Sequence, residues 1–79
     1  KFKTVLGKKF EFDHHLLKDV DTAFDLIRQI YDNGGSVYEH LVGQGTVICL
    51  EEPSQEFGGK CKNKGLEVIT VEQIDEILK

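Results

Sequence analysis

Five short stretches of this 79-residue chain carry side chains that could do chemistry. Asp13-His14-His15 sets a carboxylate beside two imidazoles, the donor types of a metal site or an acid–base pair. Metal ligands recur at fixed spacings, and His14, His15, His40, Cys49 and Cys61 form neither C-x-x-C nor H-x-x-x-H. The triplet therefore reads as part of a loop with exposed imidazoles, and no metal ligand is expected. Lys60-Cys61-Lys62-Asn63-Lys64 offers two chemistries. Neighbouring ammonium groups favour a thiolate at Cys61, but no base with an orienting partner is evident for a nucleophile. Lys60, Lys62 and Lys64 also form the one local basic patch. It either solubilises a helix or holds an acidic peptide, a phosphate or a DNA end by charge-assisted hydrogen bonds. Glu51-Glu52 and Asp75-Glu76 read as solvated carboxylates, and Gly43-Gln44-Gly45 lacks the rest of any dinucleotide or P-loop fingerprint. No catalytic residue, cofactor or small-molecule substrate is expected.

The totals narrow the classes further. A chain of this length makes one domain, residues 1–79, that buries about 60–65% of its unfolded surface and folds with little margin. The net charge of -4 argues against a general binder of nucleic acid or anionic membrane, which is normally basic. Two cysteines are too few for a disulfide framework, so Cys49 and Cys61 are expected as free thiols in a reducing compartment. No apolar run reaches the ~18 residues of a membrane span, and no signal peptide is visible. The chain starts at Lys1 and contains no Met, as expected for a domain cut from a larger protein.

The elements that position these groups are organised around residues 20–35, VDTAFDLIRQIYDNGG. Val20, Ala23, Phe24, Ile27, Ile30 and Tyr31 recur at three- and four-residue steps, which predicts a helix with one apolar face. Asp19 or Asp21 can cap its start, and Asn33-Gly34-Gly35 ends it. Before it, residues 1–9 read as a solubilising lysine-rich segment. In KKFEF, Phe10 and Phe12 share one face of a short strand, and residues 13–18 read as a loop. After it, residues 36–40 form a second strand, with Val37 on one face. Residues 41–45 form a Gly-marked loop. TVICL at 46–50 is apolar enough for a strand covered on both faces. A poor helix is expected within 55–65, weakened by Gly58-Gly59. LEVI at 66–69 is a fourth strand. Residues 70–78 are a final helix, with Thr70 and Gln73 at capping-box spacing and Ile74 facing inward. Phe10, Phe12, Phe24, Ile27, Ile30, Val47, Ile48, Val68 and Ile74 are the expected core. The order β-α-β-β-α-β-α favours a mainly parallel α/β sheet, although spacing alone also allows SVYEHLV and TVICL to pair as a hairpin.

In this order and spacing the chain resembles a BRCT domain, from Leu6 to Leu78. The resemblance rests on the first strand 7–12 and the helix ending in Gly34-Gly35. It continues in Thr46-Val47-Ile48-Cys49, the lysine-bearing Gly59-Lys60-Cys61-Lys62 and Gly65-Leu66-Glu67-Val68-Ile69-Thr70. It implies a four-stranded parallel sheet in the order 2-1-3-4. The first and last helices would share one face and the middle helix the other. The first strand would then separate SVYEH from TVICL. Two positions depart from the family: Gln73 stands where the final helix usually carries Trp, and Asp13-His14 stands where phosphate-binding members have Ser or Thr followed by Gly. A carboxylate there repels a phosphate, whereas Lys60 or Lys62 could supply the family's phosphate-binding lysine. The Asp13-His14-His15 triplet is also similar to the one that opens the metal site of DHH phosphoesterases. Those enzymes add Asp and His ligands from a much longer chain, and only His40 remains here.

The BRCT resemblance implies a non-enzymatic protein–protein interaction module of a nuclear protein of DNA repair, the DNA damage response, replication or telomere maintenance. Its partner would be another protein or a second copy of itself, with DNA reached through the rest of the parent chain and no membrane involved. Lys60, Lys62, Lys64, Gly34 and Gly35 are the candidate partner- or phosphate-binding residues, in a scaffold expected to work without phosphate. The alternative is an accessory domain of a DNA ligase or polymerase that contacts DNA or its 5′-phosphate. A DNA contact weakens steeply with salt, and an apolar interface does not.

Overall fold

The computed structural model describes residues 4–78. Four strands and four helices follow one another: β1 (Lys9–Phe12), α1 (His14–Lys18), α2 (Val20–Asp32), β2 (Ser36–Tyr38), β3 (Gly45–Cys49), α3 (Gln55–Asn63), β4 (Leu66–Thr70) and α4 (Val71–Leu78). The strands form one all-parallel sheet in the order β2-β1-β3-β4. Phe10 sits opposite Val37 on one side and Thr46 on the other. The hairpin is thereby excluded, because β1 lies between β2 and β3.

Side chains alternate across a strand, and the core accordingly divides into two clusters. On one face Phe10, Phe12, Ile48 and Ile69 meet Leu16 of α1, Ala23, Leu26 and Ile30 of α2, and Ile74 of α4. On the other face Val47, Cys49 and Leu66 meet Cys61 of α3, with Phe57 and Val68 packed at the edge. The smaller second cluster is what a nine-residue helix with two central glycines can cover.

Caps and glycines fix the ends. The Asp19 carboxylate accepts from the Thr22 N–H at 3.5 Å at the start of α2. Thr70 and Gln73 form the expected reciprocal box: Thr70 N–H donates to Gln73 Oε1 at 2.9 Å, and Gln73 N–H donates to Thr70 Oγ1 at 3.3 Å. Past α2, Gly34 adopts φ +87°, a left-handed conformation that costs a residue with a Cβ about 1–2 kcal/mol. Gly35 answers a different need. A Cβ there would lie 2.7 Å from Ile30 Cγ2 and 2.9 Å from the Val5 carbonyl oxygen, so the backbones can approach only without one.

Four expectations need correction. Residues 13–18 are not a loop. Asp13 caps α1 by accepting from His15 N–H at 3.2 Å, which lets Leu16 turn fully into the core. Phe24 is not core: it is 67% exposed, and Val20 and Tyr31 are each 52% exposed. The apolar positions of α2 form two adjacent stripes, and the sheet takes Ala23, Leu26 and Ile30. Ile27 and Val68 are half-buried rather than central. The N-terminal segment is not merely solubilising either, since Val5 is buried beneath α2; Lys1 and Lys3 lie outside the described residues.

Candidate interaction surfaces

The chain crosses from β1 to β2 on one side of the sheet and from β3 to β4 on the other, so the C-terminal ends of β1 and β3 diverge. A parallel sheet opens its ligand crevice at such a point. Here the crevice is a cleft of about 600 Å³ lined by Asp13, His15, Glu51, Glu52, Ser54 and Phe57, with Cys49 at its base. Asp13 is held by its own N–H, which donates to the Ile48 carbonyl at 2.9 Å. Ser54 Oγ accepts from Phe57 N–H at 3.2 Å and caps α3. Three carboxylates therefore face one imidazole and one hydroxyl. Their field opposes any anion. Burial first, and then the Asp13 charge, push the Cys49 thiol up to about 12, so it stays protonated at neutral pH.

The lysines of α3 lie elsewhere. Lys60 and Lys64 line a smaller cleft of about 260 Å³ with Glu11, His40, Leu41 and Cys61. Lys60 Nζ is 3.7 Å from Glu56 one turn back, an exposed pair that constrains it little. Glu11 projects to the same face, where its carboxylate accepts from Leu41 N–H at 2.8 Å and ties down the loop after β2. Lys62 lines a different groove, with Glu52, Glu67 and Thr70. Burial and then Glu11 raise the pKa of the Cys61 thiol, and the opposing Lys64 is outweighed. The lysine-activated thiolate is thus disfavoured by its surroundings. Gly34 and Gly35 precede β2 at the N-terminal ends of the strands, packed on Val5, Leu6 and Ile30. The three places a phosphate site would draw on, Asp13, Gly34-Gly35 and the lysines, do not converge. Among the described residues, no group of three or more His, Cys, Asp and Glu side chains could hold a metal ion.

One surface went unread in the sequence. Val20, Phe24, Ile27 and Tyr31 follow at steps of four, three and four residues and fall within about 60° of one another on an ideal helix. They form a solvent-facing apolar spine along α2, floored by half-buried Ile27. The Tyr31 hydroxyl donates to the Val37 carbonyl at 3.1 Å and accepts from Val37 N–H at 3.2 Å. Its ring is therefore fixed against β2 rather than free to swing. The signal was present in the sequence: Leu26, left out of the one-face reading, widens the apolar arc of α2 to about 160°, more than one core-facing stripe takes up, so some positions had to remain outside.

Searches against family models, curated proteins and solved structures return no match. Among the described residues, no helix is long and apolar enough to cross a membrane.

Proposed function

We propose that this domain is a non-enzymatic docking module of the BRCT type, which engages a protein partner through the exposed face of α2 without needing a phosphate. The observation that carries this reading is the apolar spine. Phe24 leaves two-thirds of a large aromatic side chain in water on a helix that has a full set of core residues besides it. Clustered exposed apolar side chains mark interaction sites, and aromatic anchors dominate their energetics. The sheet order 2-1-3-4, with α3 alone on its own face, supports the BRCT assignment. Gln73, which departs from the family pattern, has a local role instead. Its side chain closes the cap on Thr70, and the neighbouring Ile74 fills the core at 0% exposure. The loss of the usual Trp is thereby accommodated.

The acidic crevice and the scattered lysines favour phosphate-independent docking over phosphopeptide or 5′-phosphate recognition. The family points to a nuclear parent protein of DNA repair, replication or telomere maintenance. A comparison of two variants tests the proposal. Proteins retained from nuclear extract by the wild-type domain are expected to survive phosphatase treatment of the extract. Phe24→Asp should lose them, and the triple variant Lys60→Glu, Lys62→Glu, Lys64→Glu should keep them. Retention lost with the triple variant, or on phosphatase treatment, would overturn it in favour of a phosphate or DNA contact.

A further inference from the structure

We propose that the occupant of the α2 face is a second copy of this chain, docked with its own α2 antiparallel across a two-fold axis. This rests on the docking reading above and names its partner. The spine has a spacing that reads the same in both directions. Val20, Phe24, Ile27 and Tyr31 are symmetric about the midpoint between Asp25 and Leu26. An isologous contact requires a self-complementary patch. When two such helices lie antiparallel with that midpoint on the axis, Phe24 faces Ile27 of the second copy and Val20 faces Tyr31. A large exposed ring meets a recessed, half-buried aliphatic side chain, twice.

The charges beside the spine fit the same arrangement. Asp21, Asp25 and Arg28 border it on one flank, and all three are exposed. In the antiparallel pair, equal flanks meet. Arg28 of one copy then falls between the axial positions of Asp21 and Asp25 of the other, and the symmetry repeats the contact. Arg28 already reaches Asp25 of its own chain at 3.2 Å, which puts its guanidinium on this flank. A parallel two-fold pair would instead turn this flank away from its copy, so Arg28 of one chain would meet neither Asp21 nor Asp25 of the other. Two features lower the ordering cost of association: a rigid helix carries all four spine residues, and the Tyr31 hydroxyl is already tied to β2. The spine is only about 16 Å long. The contact is therefore small, at the lower end of interface sizes, and association is expected only at high protein concentration.

Sedimentation equilibrium of the whole chain up to about 1 mM tests this, with an amide-resolved NMR dilution series alongside. The weight-average mass should climb from monomer toward dimer, with shifts centred on Val20, Phe24, Arg28 and Tyr31. Phe24→Asp should remain monomeric with its remaining spectrum unchanged. Arg28→Asp alone, and Asp21→Arg with Asp25→Arg, should each weaken self-association by about tenfold or more, because like charges then meet. An equimolar mixture of those two variants should regain it, since each then offers the charge the other lacks. A constant mass for the wild type overturns the proposal, as does association that Phe24→Asp leaves intact or a mixture that fails to recover. A constant mass beside a partner that Phe24→Asp releases from extract would remove self-pairing and keep the docking reading.

Discussion

At the scale of single residues, the functional types in this sequence turn out to be held by packing and caps. Gly35 shows how. Its missing Cβ makes room for the Val5 carbonyl and Ile30, so Gly35→Ala should overpack a buried crossing and cost about 1–3 kcal/mol in urea unfolding. A cost within about 0.5 kcal/mol would mean that the crossing is loose. Cys49 gives a second residue-scale expectation. Its thiol is raised from 9.0 to about 12 by burial and by Asp13, so the folded state binds more protons than the unfolded state between those values. The contribution is present in full below pH 9 and lost as pH rises toward 12. Stability should therefore fall over that window, and fall less in Cys49→Ala; equal slopes for the two proteins would refute the assignment. The thiol chemistry was only half legible in the sequence. Lysines beside Cys61 are visible in a linear reading, whereas the burial and the Glu11 carboxylate that outweigh them come from another strand.

At the scale of elements, the strands and the final helix were readable because local rules and tertiary packing agree there. Phe10 and Phe12 alternate with Glu11, and Thr70 with Gln73 closes a box. α2 was readable as a helix but not in its orientation. Its apolar residues cover two neighbouring stripes, and only the sheet decides which is core. That decision predicts a sharp contrast. Leu26→Ala removes a side chain that is 1% exposed and should cost about 2–5 kcal/mol. Phe24→Ala, two positions earlier, should change stability by no more than about 0.5 kcal/mol, as exposed substitutions usually do. Chemical denaturation of both variants checks this, and a large loss at Phe24 would place it in the core after all. α1 escaped the sequence reading for a related reason. Five residues are too short for a periodic signal, and their helix exists because Asp13 caps it and Leu16 finds a pocket.

At the scale of the whole molecule, charge and topology act against each other. The sheet places an open crevice at the ends of β1 and β3, where parallel folds commonly receive ligands, and then fills its rim with Asp13, Glu51 and Glu52. The chain carries a net -4, so there is no general field to draw an anion toward it. The lysines that could reverse this locally line separate clefts on α3. Replacing Asp13 alone should therefore not create phosphate binding. Asp13→Ser supplies a hydroxyl and can still cap α1, but it leaves two carboxylates beside the crevice and brings no ammonium group into it. Titration of Asp13→Ser with a phosphopeptide mixture, or with a 5′-phosphorylated duplex at moderate salt, should give no saturable amide shifts. Saturable shifts at Ser54 and Phe57 would show that Asp13 was the only barrier, and that the fold still holds a working anion crevice. Silence in that variant, beside concentration-dependent shifts along α2 in the wild type, would place the recognition chemistry on the helix face.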